Sequence, residues 1–226
     1  MDDYIRGEQR VVRVTWHGHA CISVTRSDGF TIVFDPHDGA SIGLPRPNVS
    51  GDLVLVSHEH FDHNAVDVVL KRGGKALRMY VGKTDVGGVE VEGLMTFHDK
   101  QRGSRRGRNV VYVVSIEGVR IAHMGDLGHV PDDEVLSRIS GVDLIAIPVG
   151  GTFTVEPAEA WEVVDKAKPK NVLPIHYWVR GSNLPLKPVD EFLKLVRGYE
   201  IVRLDKEYFD LPGPTNSVLV PRPPSA

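Results

Sequence analysis

The feature that most constrains this chain is a six-residue run at positions 58–63, which contains three histidines and follows an apolar segment and one serine. A short apolar segment of this kind is typical of a strand buried on both faces. In an extended chain, His58 and His60 point to the same side and can chelate one metal ion. Asp62 and His63 follow where the chain turns, so they can be directed at a second position. Because imidazole and carboxylate suit zinc and related first-row ions, the run predicts a metal site at the end of a strand.

Three further residues of ligand type, His98, Asp126 and His176, occupy a similar position farther along the chain. Each of them follows an apolar run that predicts a strand. Since strand ends meet at one edge of a sheet, we expect these distant residues to gather where open α/β architectures place their sites. The sequence therefore predicts one cluster built from several separate segments.

The remaining pattern predicts short strands, mostly as hairpins in the first half and alternating with helices in the second. The predicted strands cover residues 11–16, 21–25, 31–34, 53–56, 77–81, 89–97, 110–116, 120–123, 142–147, 172–175, 201–204 and 217–220. The predicted helices cover residues 65–71, 132–139, 156–168 and 189–196. No linker is long enough to divide the chain, so we expect residues 1–226 to form one domain.

The histidine run, His98, Asp126 and His176 occur in the order found in the metallo-β-lactamase-fold superfamily, which this sequence resembles. A finer likeness comes from Trp16-His17-Gly18-His19-Ala20, Phe34-Asp35-Pro36, Gly125-Asp126-Leu127-Gly128-His129, Pro148-Val149-Gly150-Gly151 and Pro174-Ile175-His176-Tyr177. These motifs resemble the branch that includes L-ascorbate-6-phosphate lactonase, N-acyl-phosphatidylethanolamine phospholipase D and many uncharacterised metal-dependent hydrolases. The resemblance implies an α+β fold, a four-layer αβ/βα sandwich of two mixed β-sheets flanked by helices, with metals at one edge.

The resemblance also implies seven metal ligands around two divalent ions. His58, His60 and His98 would hold the first ion, Asp62, His63 and His176 would hold the second, and Asp126 would bridge both. Zinc is the first expectation, and manganese, iron and nickel also accept these ligands. An aspartate rather than a cysteine at position 126 resembles the hydrolase and phosphodiesterase branches, which argues against antibiotic hydrolysis.

We therefore expect a hydrolase in which two metals share a water or hydroxide that attacks a lactone, ester or phosphodiester bond of a small molecule. Asp62 and Asp126 would orient this hydroxide as well as bind metal. Two alternatives stay open. One is a nuclease or nucleotide phosphodiesterase that uses the same site, and the other is a non-catalytic metal-binding scaffold or sensor.

Several residues outside the ligand set are further candidates. His19 would line the pocket, and His129 would contact the substrate or donate a proton to a leaving group. Asp35 is either an acceptor for a ligand histidine or a turn-forming residue. The basic segment 99–109 is either a flexible solvated hairpin loop or an anion-binding lid, since arginine suits phosphate and carboxylate. The lid alternative favours an anionic substrate.

Composition limits the partners and the compartment. A net charge of −3 gives no general reason to expect a membrane surface or a long nucleic acid as partner. No segment approaches the ~18 apolar residues that cross a bilayer. The acidic start, residues 1–4, has no apolar run behind it and predicts no secretory signal, and the single cysteine, Cys21, rules out an internal disulfide. We therefore expect a cytoplasmic protein, and assembly into a homo-oligomer stays open.

Overall fold

The structure, a computed structural model, describes residues 11–225. The first of its two sheets contains β1 (Val12–Trp16), β2 (Ile22–Thr25), β3 (Thr31–Phe34), β4 (Gly51–Val56), β5 (Leu70–Arg78) and β13 (Tyr208–Leu211). These strands lie in the order β13-β1-β2-β3-β4-β5. The pairs from β13 to β3 are antiparallel, whereas β3-β4 and β4-β5 are parallel, so this sheet is mixed.

The second sheet faces the first and is also mixed. It contains β6 (Gly82–Val86), β7 (Val89–Phe97), β8 (Arg108–Ile116), β9 (Val119–His123), β10 (Leu144–Pro148), β11 (Asn171–Ile175), β12 (Glu200–Arg203) and β14 (Ser217–Val220). Their order is β12-β14-β11-β10-β9-β8-β7-β6. The strands from β6 to β9 form antiparallel pairs, and those from β9 to β12 form parallel pairs.

Short helices cover the outer faces of the two sheets. They are α1 (Val66–Val69), α2 (Asp133–Ile139), α3 (Pro157–Ala167) and α4 (Asp190–Leu193). The α1 helix packs on β4 and β5, while α3 contacts β10, α2 and α4. This layering is the predicted four-layer sandwich of two mixed sheets, so the predicted fold class is confirmed. Within residues 11–225, no helix is long and apolar enough to span a bilayer.

The two faces of β3 and β4 pack into different cores. Phe34 and Leu55 belong to the main core, which also contains side chains of the second sheet. Val33 and Val54 instead pack in a smaller cluster with the buried side chains of α1. Because β4 is buried on both faces, it has the continuous apolar sequence that predicted it.

A buried tyrosine and a backbone bond join the two sheets beside the histidine run. Tyr112 on β8 donates its hydroxyl hydrogen to the carbonyl of Val56 at 3.1 Å and accepts the amide of Tyr80 at 2.9 Å. The amide of Val110 donates to the carbonyl of Ser57 at 2.9 Å. These contacts fix the end of β4, where the histidine run begins, against the second sheet.

The structure corrects the prediction of a helix over residues 65–71. The α1 helix ends at Val69, and the chain turns directly into β5 because Leu70 has an extended backbone (φ −72°, ψ 124°). Gly73 and Gly74, which suggested a helix end, lie inside β5 next to an irregularity in its pairing with β4. The strand predicted at 77–81 is therefore only the end of β5. The helix predicted at 189–196 is also shorter, and α4 ends at Leu193.

Two edge strands, β6 and β13, have no counterpart in the prediction. Residues of β6 are exposed or half-buried, and three of the four residues of β13 are half-buried. Edge strands of this kind lack the apolar alternation that identifies a strand in sequence. Residues 1–4, on which the expectation of no secretory signal depends, lie outside the described residues.

Candidate metal centre

Residues from both sheets converge where the strands end. The run at 58–63 follows β4 of the first sheet, and His98 and His176 directly follow β7 and β11 of the second. Asp126 lies three residues after the end of β9. All seven residues that the sequence proposed as ligands thus lie in one region of the molecule.

The first group contains His58, His60 and His98. Each contributes one ring nitrogen to a set whose members all lie within 4.8 Å of one another. The ring centroid of His58 is 4.6 Å from that of His60 and 4.9 Å from that of His98. His58 and His98 are buried, whereas His60 is exposed, so this group reaches the surface.

The second group contains His19, Asp62, His63 and His176, again with one ligand atom each within 4.8 Å of the others. Three of these residues are buried, and the side chain of Asp62 is 13% exposed. This group includes His19, which the sequence placed in the pocket but not among the ligands.

Asp126 lies between the two groups and directs a different oxygen at each. Its Oδ2 is 3.1 Å from Nε2 of His98 and 3.7 Å from Nε2 of His58. Its Oδ1 is 3.2 Å from Nε2 of His63 and 3.3 Å from Nε2 of His176. A carboxylate placed in this way can serve both groups at once.

The donor atoms fit a bound cation. Within residues 11–225, seven buried side-chain nitrogen or oxygen atoms lack a hydrogen-bond partner, and five belong to His58, His98, Asp126 and His176. Buried polar atoms without partners are costly, and native proteins rarely leave several in one place. Three of the five atoms, Nε2 of His58, Nε2 of His176 and Oδ1 of Asp126, lie on the side of the cluster, where a divalent metal would satisfy them.

The electrostatics of the cluster also favour a cation. Burial lowers the pKa of His19 and of His58 to about 3, so both imidazoles are neutral at physiological pH. Burial opposes ionisation of Asp126, but His176, His63 and His98 outweigh it and hold the pKa of this carboxyl well below its usual range. Neutral imidazoles and an ionised carboxylate are the protonation states that metal binding requires.

His63 is the exception among the histidines. Burial lowers its pKa, but Asp126, Asp35 and Asp62 outweigh burial and raise it well above the ordinary value. The same three carboxylates that would stabilise a protonated imidazole also stabilise a metal ion beside it.

Beneath the cluster, Asp35 holds two of its histidines in position. Its Oδ1 accepts the amide of Ser57 at 2.7 Å, and its Oδ2 accepts the Ser57 hydroxyl at 2.6 Å. The same Oδ2 is 3.1 Å from Nδ1 of His63, and the Ser57 hydroxyl oxygen is 2.9 Å from Nδ1 of His58. If both Nδ1 atoms carry hydrogen, the Nε2 lone pairs of His58 and His63 point into the cluster. Of the two interpretations of Asp35, the acceptor therefore has direct structural support.

Asn109 performs a similar role for Asp126. Its side-chain oxygen accepts the amide of Asp126 at 2.9 Å, and its amide nitrogen donates to Thr96 Oγ1 at 2.8 Å and to the carbonyl of Met124 at 3.0 Å. Sequence reasoning missed Asn109 and Ser57. In the sequence, each is only a polar residue at the boundary of an apolar strand. Their roles depend on contacts with residues of other strands, which the sequence does not reveal.

Several cluster residues have an unusual backbone. His19, Asp35 and His176 are held at φ of 51°, 42° and 51°, in the left-handed region that is costly for residues with a Cβ. Gly125, just before Asp126, also has positive φ, and a Cβ there would lie 2.4 Å from Asn109 Oδ1 and 2.6 Å from Ser57. Three of the nine non-glycine residues with positive φ within residues 11–225 thus lie at the candidate centre.

The structure does not bring His129 into the cluster. Its Nε2 accepts the amide of Phe97 at 3.2 Å, and its Nδ1 donates to the carbonyl of Val130 at 2.9 Å. Since the backbone engages both ring nitrogens, His129 has none left to donate a proton to a leaving group. The suggested catalytic role therefore lacks a free donor, and His129 instead orders the chain beside β7.

The basic segment after His98 is folded around one carboxylate. Asp99 accepts the backbone amides of Gln101 at 2.7 Å, Gly103 at 2.9 Å, Arg105 at 2.9 Å and Arg106 at 2.8 Å. These four backbone hydrogen bonds hold the pKa of Asp99 at about 2 against the effect of burial, which would raise it. The segment therefore forms a hydrogen-bonded turn, and its arginine side chains are exposed.

Comparison with known proteins identifies a matching family and similar relatives. Residues 13–176 match the family described as Beta-lactamase superfamily domain. A UPF0173 metal-dependent hydrolase from Thermococcus onnurineus is 32% identical over 213 residues, covering 82% of this chain and 92% of that protein. 

Two solved structures of metal-dependent hydrolases also resemble this chain. The chain resembles the crystal structure of a candidate Zn-dependent hydrolase of the metallo-β-lactamase superfamily from Thermotoga maritima, with 36% identity and a TM-score of 0.74. That alignment covers 93% of this chain and 98% of the Thermotoga maritima protein. Igni18, a metallo hydrolase from Ignicoccus hospitalis, is 18% identical with a TM-score of 0.62 over 82% of this chain and 90% of its own, a likeness of fold alone.

Proposed function

The chain belongs to the metallo-β-lactamase superfamily and is a metal-dependent hydrolase, and from this premise we propose that it uses two divalent metal ions to cleave a small lactone, ester or phosphodiester. The observation that carries the proposal is the placement of Asp126, whose two oxygens face two separate groups of histidines. A single-metal site would not require a carboxylate directed at both groups.

In this proposal the two groups hold one ion each. His58, His60 and His98 bind the first, Asp62, His63 and His176 bind the second, and Asp126 binds both. The Thermotoga maritima relative is described as Zn-dependent, which supports zinc as the metal. When bound, such ions would lower the pKa of water to about 7 and polarise the oxygen of the scissile group.

The residues of the chain supply positioning and charge. The side chain of Asp62 is 13% exposed, against 3% for Asp126, so Asp62 is placed to accept a hydrogen bond from an attacking water. Burial raises the pKa of Asp62, but the hydrogen bond from His19 and the charge of His63 outweigh burial and lower it, so Asp62 is ionised and can accept but not donate. Asp126 lies deeper, and its role is to fix the separation of the two groups.

The substrate that fits best is small and anionic. Arg105 and Arg106 extend from the ordered turn that directly follows His98, and arginine binds phosphate and carboxylate groups well. The overall charge of −3 gives no extended basic track for a long nucleic acid.

Metal content and turnover together test this function. The purified protein is expected to carry two metal ions per chain and to hydrolyse at least one of bis-p-nitrophenyl phosphate, p-nitrophenyl esters and simple lactones. Chelation should abolish turnover, and added metal should restore it. Asp62→Ala and Asp126→Ala should each lower kcat/KM by 100-fold or more, while Asp67→Ala, an exposed aspartate on α1, should leave it unchanged.

Two results would contradict the proposal. Full turnover with normal metal content in Asp62→Ala or Asp126→Ala would show that the reaction does not need these carboxylates. Two metal ions without activity on any of these substrates would instead favour a metal-binding scaffold or sensor, and activity confined to nucleic acids or nucleotides would favour a nuclease or nucleotide phosphodiesterase.

A further inference from the structure

We infer that His19 is an eighth metal ligand, which completes the second group, and this inference rests on the proposed two-metal function. His19 lies in the loop between β1 and β2, far in sequence from the run at 58–63. Its position beside that run follows from the fold and not from any local pattern.

The distances around the His19 ring are those expected between ligands of one ion. Its Nε2 lies 3.1 Å from Oδ2 of Asp62 and 3.2 Å from Nε2 of His63. Its ring centroid is 4.1 Å from that of His176. Donor atoms that share one ion at about 2.1 Å lie about 3.0 to 3.5 Å apart, so His19 fits the same coordination shell.

The contact between His19 and His63 is informative because two imidazole nitrogens face each other. Nδ1 of His63 lies 3.1 Å from Oδ2 of Asp35, so Nε2 is the nitrogen that His63 presents to His19. A direct bond between the two rings would place one hydrogen between these nitrogens, while Nε2 of His19 also faces the Asp62 carboxylate. A cation between the two nitrogens and the carboxylate satisfies all three atoms at once.

The backbone holds the His19 ring in this place. The carbonyl of His19 accepts the indole hydrogen of Trp16 at 3.0 Å and the amide of His176 at 2.9 Å. The residue is 1% exposed and adopts a left-handed φ of 51°. Such strain in a buried residue indicates a required side-chain direction, and the bond to His176 couples His19 to the last residue of the second group.

With His19 included, the two sites differ in the number of protein donors. The first has His58, His60, His98 and the shared Asp126, a count that matches the tetrahedral preference of zinc. The second has His19, Asp62, His63, His176 and the shared Asp126, which suits ions that accept five or six ligands. The two sites should therefore differ in metal preference and in coordination geometry.

Two substitutions separate a ligand from a hydrogen-bond donor. His19→Ala removes the ring, and His19→Gln keeps an N–H that can still donate to Asp62. His17→Ala is the matched control, because His17 lies two residues away and its Nε2 bonds to Ser23 Oγ at 2.8 Å. Metal content is measured after dialysis against a competing chelator, and the geometry is read from the absorption spectrum of the Co²⁺-loaded protein.

If His19 is a ligand, both His19 variants should bind the second ion at least about 100-fold more weakly than wild type. This loss is larger than the loss typical of a residue that only forms a hydrogen bond to a ligand. Their Co²⁺ spectrum should lose the contribution of the higher-coordinate site, and His17→Ala should behave as wild type. Second-ion affinity within threefold of wild type in His19→Gln would overturn the inference. A wild-type protein that binds fewer than two ions would contradict the proposed function instead.

A crystal structure of the Zn²⁺- or Co²⁺-loaded wild type provides a test that does not depend on variants that fold. Nε2 of His19 within about 2.0–2.3 Å of the second ion would support the inference. A separation above about 3 Å, with two ions bound, would exclude His19 as a ligand and leave the proposed function intact.

Discussion

At the scale of single residues, Asp35 shows how a buried carboxylate can set the chemistry of a site that it does not enter. It accepts hydrogen bonds from the Ser57 amide and hydroxyl and approaches Nδ1 of His63. Through Ser57 it also fixes His58. Since each of these imidazoles has its Nδ1 engaged, each can offer only Nε2 to a metal, and the orientation is set before the metal binds.

Asp35→Asn should weaken metal binding without unfolding the protein. Asparagine keeps the size of the side chain and tolerates the φ of 42° found at this position. Its single oxygen cannot accept all the hydrogen bonds that the two carboxylate oxygens accept now. We expect metal affinity, measured by chelator competition, to fall about 10- to 100-fold.

Asp38→Asn is the control for this substitution. Asp38 lies three residues farther along the chain, is exposed, and accepts hydrogen bonds from the amide and hydroxyl of Ser41. It should retain wild-type metal affinity. If Asp35→Asn also retained affinity within twofold, the network beneath the cluster would have no part in orienting the histidines.

The seven residues that converge could be selected from the sequence because their chemical type is rare and their spacing is local or tied to strand ends. Asn109 and Ser57 could not be selected in this way, because nothing in the sequence distinguishes them from other polar residues. Their roles appear only in the folded structure. His129 shows the opposite case. Its type suggested chemistry, but the backbone of Phe97 and Val130 uses both of its ring nitrogens.

At the scale of elements, the turn after β7 is organised by Asp99, which accepts four backbone amides. Asp99→Ala should leave these amides without their acceptor and free the turn. We expect faster hydrogen exchange at residues 101, 103, 105 and 106 and a loss of about 1–3 kcal/mol in stability. Asp85→Ala, which removes one amide bond to Gly88 in the β6-β7 turn, is the control. Unchanged hydrogen-exchange rates at residues 101–106 would mean that the turn keeps its structure without Asp99.

The arginines of this turn give a second test at the same scale. The turn closes directly on His98, whose amide donates to the carbonyl of Gly107 at 3.1 Å, and Arg106 stacks on Phe153 at 4.9 Å. Replacing Arg105, Arg106 and Arg108 by glutamine should raise KM for bis-p-nitrophenyl phosphate about tenfold, the loss of one or two charge-assisted contacts. KM for a neutral p-nitrophenyl ester serves as the control and should not change. Equal KM values for the anionic substrate in both proteins would exclude an anion-binding lid.

Elements buried on both faces or strongly periodic were predictable, whereas two of the edge strands were not. Residues 53–56 of β4 form an uninterrupted apolar sequence because both faces of this part of the strand are buried. The edge strands β6 and β13 carry no such signal. The start of β5 was not predicted, because Gly73 and Gly74 were interpreted as the end of a helix. In the structure they lie in an irregularity of the pairing between β4 and β5.

At the scale of the whole molecule, the candidate ligands come from both sheets. The run at 58–63 extends from the first sheet, and His98, Asp126 and His176 extend from the second. The resemblance of these motifs, in their order along the chain, to the metallo-β-lactamase superfamily implied the sandwich. The order of strands within each sheet depends on long-range pairings that sequence periodicity does not encode.

This division of ligands predicts that metal stabilises the entire fold. An ion that binds only the native state adds about 2.7 kcal/mol at a free concentration of 100 times Kd, which corresponds to about 5–10 °C in Tm for a domain of this size. Calorimetry of the protein with and without chelator measures this shift, and Asp126→Ala should show a much smaller one. Because ions held between two sheets resist the separation of those sheets, hydrogen exchange should slow in β4 and in β11 together. Protection limited to residues 58–63 would mean that the metal orders only a loop, and the two halves of the cluster would then act independently.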